Sequence, residues 1–184
     1  MKRKITVPLT PDVVDNLKAG DIVELTGTVY TARDAAHKRM IELLDAGKPL
    51  PFPPEGQVIY YVGPCPAPEG KIIGSAGPTT SGRMDKYTPA LIKTGISGMI
   101  GKGTRDESVI RAMVEHGAVY FGAVGGAAAL ISKCIKSQEV IAFEDLGTEA
   151  VRMLEVVDFP AIVLIDRYGN NLYETGREKY AVKD

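Results

Sequence analysis

Across residues 22–30, IVELTGTVY, apolar and β-branched side chains recur closely enough to predict a strand. The period then changes. Ala36, Met40, Leu43 and Leu44 fall on one face at helical spacing, and Arg33 and His37 extend that face at its N-terminal end. This predicts a helix capped at Thr31 and running to about Ala46. Asp34, three residues after Thr31, is a weaker form of the capping box, and Gly47 suits the position just past the helix end. Further strands are expected at residues 58–62, 71–74, 99–100, 118–122, 139–143 and 161–166. Helix signals lie between them. Thr10-Pro11-Asp12 and Thr88-Pro89 each open a short helix. Thr104 and Glu107 form a second capping box for a helix to about His116. GGAAALISKCI reads as a glycine-started helix, and a short helix is expected around residues 148–154. Residues 20–21 and 167–170 read as turns, residues 48–56 as a proline-rich loop, and NLYE as the closing strand of a terminal hairpin.

Strands alternating with helices predict a mixed α/β fold, and the terminal hairpin argues against a purely parallel sheet. Residues 1–184 are expected to form one domain, or one subunit of a larger enzyme. The formal net charge is −1, which does not point to a nucleic-acid partner. The longest apolar run, AVYFGAVGGAAALI, is broken by glycines and reads as buried core, so no membrane span is expected. The start, MKRKITVPLT, has a basic cluster but no apolar stretch of signal-peptide type. Cys65 and Cys134 lie far apart, and neither His37 nor His116 stands at metal-ligand spacing from them. Hence no metal site is expected on this chain, and a cytoplasmic protein with reduced thiols is. Two cysteines also cannot by themselves hold an iron–sulfur cluster of the usual cysteine-ligated type.

Three sites could carry chemistry. Arg33 lies at the start of a predicted helix, where free N–H groups favour an anion. It could equally pair with a structural carboxylate. SAGPTTSGR, residues 75–83, combines glycines with Thr79, Thr80, Ser81 and Arg83. Its hydroxyls and guanidinium suit carboxylate or phosphate oxygens, but the same composition makes a tight turn. It is neither a Walker A loop nor a nucleophile elbow. Lys102, between Gly101 and Gly103, is expected just before the helix capped at Thr104. Each signal is weak alone. Together they give three cations, each near a predicted helix start, with hydroxyls beside one of them. Such a set suits a small acid with more than one carboxylate.

YTARDAAH, GPCPAP, SAGPTTSGRMD, the GKG turn, HGAVYF with GGAAAL, and DFPAIVLID followed by YGN occur in this order. In these motifs the chain resembles the β subunit of the class I, iron–sulfur fumarate hydratases and L-tartrate dehydratases, from about Leu9 to Tyr173. In other members this is the C-terminal domain of a longer chain. The resemblance implies a swivelling β/β/α domain and the reversible hydration of a small dicarboxylate, fumarate to malate first. L-tartrate or a methylated dicarboxylate are the alternatives within the class; a non-catalytic small-acid-binding or partner-stabilising domain is the alternative outside it. It implies a 4Fe–4S cluster on a partner α subunit and none on this chain alone, which would then be inactive without that partner. A homodimer or heterotetramer is expected. The resemblance casts Arg33, Arg83 and Lys102 as substrate-binding residues and Thr79 as the catalytic base. His37 lies within the matched motif and receives no catalytic role. Cys65 reads as a rigid structural position and Cys134 as core.

Overall fold

In the computed structural model, which describes residues 2–123 and 128–178, β2 (Ile22–Thr31) and β7 (Val151–Ile165) pair antiparallel along most of their length. β1 (Arg3–Val7) and β3 (Val58–Tyr60) share the other edge of β2, both parallel to it. β4 (Gly98–Gly101) and β5 (Val119–Gly122) continue the parallel set, and β5 returns to β7 antiparallel. The sheet therefore closes through β2, β3, β4, β5 and β7, with β1 and β6 (Ile135–Ala142) as flanks. The mixed α/β class expected from the sequence holds. The antiparallel element is the long β7 rather than a terminal hairpin.

The closed strands alternate cleanly between two sides. Val58, Tyr60, Ile100, Val119 and Phe121 join one buried cluster with Val23, Leu25, Phe159 and Val163. Ile59, Met99 and Tyr120 join the other. That second cluster is covered by α2 (Asp34–Asp45), α3 (Thr88–Lys93) and α4 (Glu107–His116), through Ala36 and Met40, Leu91 and Ile92, and Val109 and Met113. The remaining helices are α1 (Pro11–Asn16), α5 (Ala128–Cys134) and α6 (Leu172–Glu178). Thr10 caps α1 as expected, its hydroxyl accepting from Val13 N. Among the described residues no helix is long and apolar enough to cross a membrane.

Several expected boundaries shift. Thr31 is the last residue of β2, and Arg33 takes the cap position of α2. The Thr31 hydroxyl instead donates to Ala150 O and accepts from Arg152 N, so strand pairing uses the group a cap would need. Thr104 does not cap α4; Asp106 takes the cap position without a side-chain cap bond, and its own N–H is held by Asp85 Oδ2 at 2.6 Å. Residues 71–74 form no strand. The helix expected around residues 148–154 gives way to a 3₁₀ turn, Glu144–Glu149, and to the start of β7. NLYE makes one bridge, Asn171 to Ile165, and then enters α6. The glycine start of the GGAAALISKCI helix lies outside the described residues, while α5 covers its second half.

Candidate active site

The parallel strands finish level with one another: Thr31 pairs with Tyr60, Tyr60 with Ile100, and Gly101 with Gly122. Their carboxyl ends make one edge, the usual place for ligands in parallel α/β sheets. Each strand delivers a segment to it. β2 runs into Ala32-Arg33, tied to β3 by Ala32 N donating to Tyr60 O at 3.2 Å. β3 runs into Tyr61–Gly63, and β4 into Lys102-Gly103. SAGPTTSGR joins them. Thr79 N donates to Tyr61 O at 2.8 Å, Thr80 forms a parallel bridge with Lys102, and Ser81 N donates to Lys102 O at 2.9 Å. Arg83 follows in a 3₁₀ turn, Ser81–Met84.

Arg33, Thr79, Arg83 and Lys102 thus arrive at one edge from three parts of the sequence. The expectation that all three cations stand at helix starts needs correction. Arg33 does, at the cap of α2. Lys102 instead follows a strand end, because α4 begins only at Glu107. Arg83 lies in the 3₁₀ turn. Backbone pairing, not a helix terminus, positions the last two.

Arg83 Nε donates to Asp34 Oδ1 at 3.0 Å. On the other side of the same carboxylate, Oδ2 lies 4.0 Å from Arg33 Nε, and neither of these two atoms has a hydrogen-bond partner although both are buried. Arg33 Nη2 has Glu149 Oε1 at 3.5 Å. Both openings of the sequence reading are therefore present. Arg33 stands among structural carboxylates, yet its contacts are long and its Nε–H is unmatched. Gly63 makes room for it, since a Cβ there would meet Arg33 Nη1 at 2.9 Å. Thr79 is half-buried and Lys102 exposed.

A buried polar floor supports the edge. Arg105, with a fully buried side chain, donates from Nε to Asp85 Oδ1 at 2.7 Å and from Nη2 to Thr88 Oγ1 at 2.9 Å. Its guanidinium lies over the rings of Tyr61 and Tyr120, 5.2 and 4.9 Å from their centroids. Tyr61 is the residue whose carbonyl holds Thr79. The Tyr120 hydroxyl reaches both Ser81 Oγ, at 2.8 Å, and Gly103 O, at 2.9 Å. The carbonyl can only accept, so Tyr120 donates to Gly103 and Ser81 donates to Tyr120. Gly103 N donates to the Tyr173 hydroxyl at 3.1 Å, which brings α6 against the GKG turn.

His37 is wholly buried against Tyr61, and burial pulls its imidazole down to about 4 despite the Arg33 carbonyl beside it. Nδ1 lies 2.8 Å from Arg33 O. That carbonyl only accepts, so neutral His37 carries its proton on Nδ1 and fixes the cap of α2. His37 has a structural place beneath Arg33.

The sequence reading missed Asp34 as a partner of the arginines, although it is the next residue to Arg33. It also missed Glu149, Asp85 and Arg105, for which no local pattern gave a signal. A cavity of about 480 Å³ opens nearby, lined in part by Cys65, Thr148 and Arg152, and none of the four predicted site residues lines it. Cys65 is exposed and Cys134 half-buried, both as free thiols. Among the described residues no group of three or more His, Cys, Asp or Glu side chains could hold a metal. The described residues, with Cys65 and Cys134 as separate thiols, do not fit a cysteine-held iron–sulfur cluster.

Residues 2–176 match the family described as Fumarase C-terminus. The chain is 42% identical over 169 residues to "Fumarate hydratase 1, mitochondrial" of Leishmania major, covering 89% of this chain and 31% of that protein. It is 45% identical over 154 residues to "Fumarate hydratase class I, anaerobic" of Escherichia coli, covering 83% and 28%. The chain thus spans about a third of those relatives. A Methanocaldococcus jannaschii protein named "Putative L(+)-tartrate dehydratase subunit beta" is 41% identical over 177 residues, covering 93% of this chain and 91% of its own length. The motifs, the fold and these relatives together show that the chain belongs to the Fumarase C-terminus family.

Proposed function

We propose that this chain is the β-type half of a class I hydro-lyase that interconverts fumarate and malate. In this reading it supplies Arg33, Thr79, Arg83 and Lys102 to a site completed by a cluster-bearing α-type partner. The observation that carries the reading is the convergence of Arg33 and Arg83 on one carboxylate, Asp34, at the edge that also receives Thr79 and Lys102. A pair of guanidiniums that already faces one carboxylate has the chemistry to grip another. A dicarboxylate carries two anionic ends, which suits a site with more than one cation. The chain has only two cysteines, Cys65 and Cys134, so the reading assigns a cysteine-held cluster to the partner, and no step on this chain runs through it.

The residues of this chain then divide the work. Arg83 and Arg33 bind and orient the substrate carboxylates. Removing the proton next to a carboxylate drives electron density onto that carboxylate, and Arg83 and Lys102 stabilise the charge where it develops. In dehydration Thr79 Oγ, as the alkoxide, takes that proton while the C–O bond on the adjacent carbon breaks and the hydroxyl leaves on the side that the α-type partner would supply; hydration reverses both. A threonine hydroxyl is a poor base at its ordinary pKa, so this role requires the neighbouring cations to favour its alkoxide. Glu149 and Asp34 offset the positive charge of the two arginines.

L-tartrate is the second substrate reading, favoured by the Methanocaldococcus relative, whose printed name describes a subunit of similar length. One added hydroxyl is a small change to a polar site, and few residues would accommodate it. The test is anaerobic assembly with a cluster-bearing α-type chain, followed by assay of fumarate, malate and L-tartrate. Turnover of fumarate and malate only in the assembled enzyme supports the reading. Hydratase activity from this chain alone contradicts it.

A further inference from the structure

The Arg83 side chain is half-exposed and leaves from a four-residue 3₁₀ turn, so packing does little to hold it. A free arginine of this kind samples many rotamers, and ordering it on a ligand costs side-chain entropy. The structure shows what limits that freedom. Asp34 Oδ1 accepts from Nε, not from the two terminal nitrogens. A carboxylate that takes Nε leaves Nη1 and Nη2 free to grip a second carboxylate with two parallel bonds. Asp34 is itself fixed. It is the first residue of α2, where the helix N-terminus favours its charge, and α2 is anchored by buried Ala36, His37 and Met40.

We infer that Asp34 is a positioning residue, which holds Arg83 by Nε so that its terminal nitrogens face the substrate carboxylate. The inference rests on the proposed role of Arg83 and goes beyond it. Asp34 touches no reacting atom. It sets where the guanidinium stands before substrate arrives, and through Oδ2 it places the same negative charge beside Arg33. The arrangement also explains why a carboxylate stands in a site for acids. It engages the nitrogen that the end-on grip does not use.

Two measurements test this on Asp34→Ala, with Asp34→Asn as the milder variant should alanine at the helix start impair folding. The first is nitrogen NMR of the arginine side chains in the labelled chain, with the Arg83 signal assigned by its loss in Arg83→Lys. The expected result is a slowly exchanging Arg83 Nε–H in the wild type that becomes fast in Asp34→Ala. The second is steady-state kinetics of the assembled enzyme. The expected result is a KM raised roughly tenfold, the scale of one charge-assisted hydrogen bond, with kcat changed less. An unchanged melting temperature with raised KM separates positioning from general structural damage. An Nε–H that stays protected without Asp34 overturns the inference. So does a wild-type KM in Asp34→Ala while Arg83→Ala is impaired. If Arg83→Ala itself keeps wild-type kinetics, the proposed function of Arg83 fails, and this inference with it.

Discussion

Ser81 Oγ occupies the space a Cβ on Gly101 would need, closer than real Cβ contacts come. The two segments that carry Arg83 and Lys102 are therefore sewn together at a point where only glycine fits. Gly101 ends β4, and Ser81 opens the 3₁₀ turn. The approach is what lets Ser81 N reach Lys102 O.

Gly101→Ala should accordingly lower the stability of the chain by about 1–3 kcal/mol, the range for overpacking a tight contact. Ser81→Gly in the same chain should recover most of that loss, because Tyr120 keeps its acceptor at Gly103 O. Urea melts of the single and double variants measure this. Equal losses in both would mean the contact is not what selects glycine.

The Arg105–Asp85 pair is buried on both sides, so removing one partner strands a charge away from water. Asp85→Ala should cost about 3–5 kcal/mol. It also removes the acceptor for Asp106 N at the start of α4. Asp85→Ala combined with Arg105→Met should be less damaging than Asp85→Ala alone. Denaturant unfolding of the set checks the order.

His37 gives stability a pH dependence. Its folded pKa is lowered by burial to about 4, against 6.5 for the free side chain. Above 6.5 both states are neutral and the full stability is present. As pH falls from 6.5 to about 4 the unfolded chain takes up a proton that the folded one refuses, and stability drops by about 3 kcal/mol. Below that the contribution is flat. His37→Asn, whose amide can still donate towards the Arg33 carbonyl, should remove this slope. Unfolding free energies at several pH values between 4 and 7 measure it, and an unchanged slope in the variant would assign the effect elsewhere.

Much of the fold was readable because period marks it. The β-branched run of residues 22–30 and the helical stripe of Ala36 and Met40 became β2 and α2. What was not readable was decided by pairing across long sequence separations. Residues 151–165 contain a helix-like opening, but their partners on β2, β5 and β6 make them one long strand. Residues 3–7 look like a basic start, yet β2 recruits them into the sheet through Ile5 and Val7. The cap at Thr31 failed for the same reason, since tertiary partners took the group a cap would use, and the one at Thr104 because α4 begins later, at Glu107. At the site, the cations and hydroxyls were visible as residue types. Their shared carboxylate and their buried floor were not, because Asp34, Asp85 and Arg105 gain meaning only from what folding brings beside them.

The central claim is that this edge binds the substrate carboxylate, and Arg83 is its most direct test. Arg83 is half-exposed, so Arg83→Ala should change unfolding free energy by no more than about 0.5 kcal/mol. The decisive measurement is kcat/KM for fumarate with the variant assembled on its cluster-bearing partner. A loss of about 10²–10³-fold, the scale for removing a group that stabilises developing charge, is the predicted result. A kcat/KM within about threefold of the wild-type assembly, well under the tenfold worth of 1.4 kcal/mol, would contradict it.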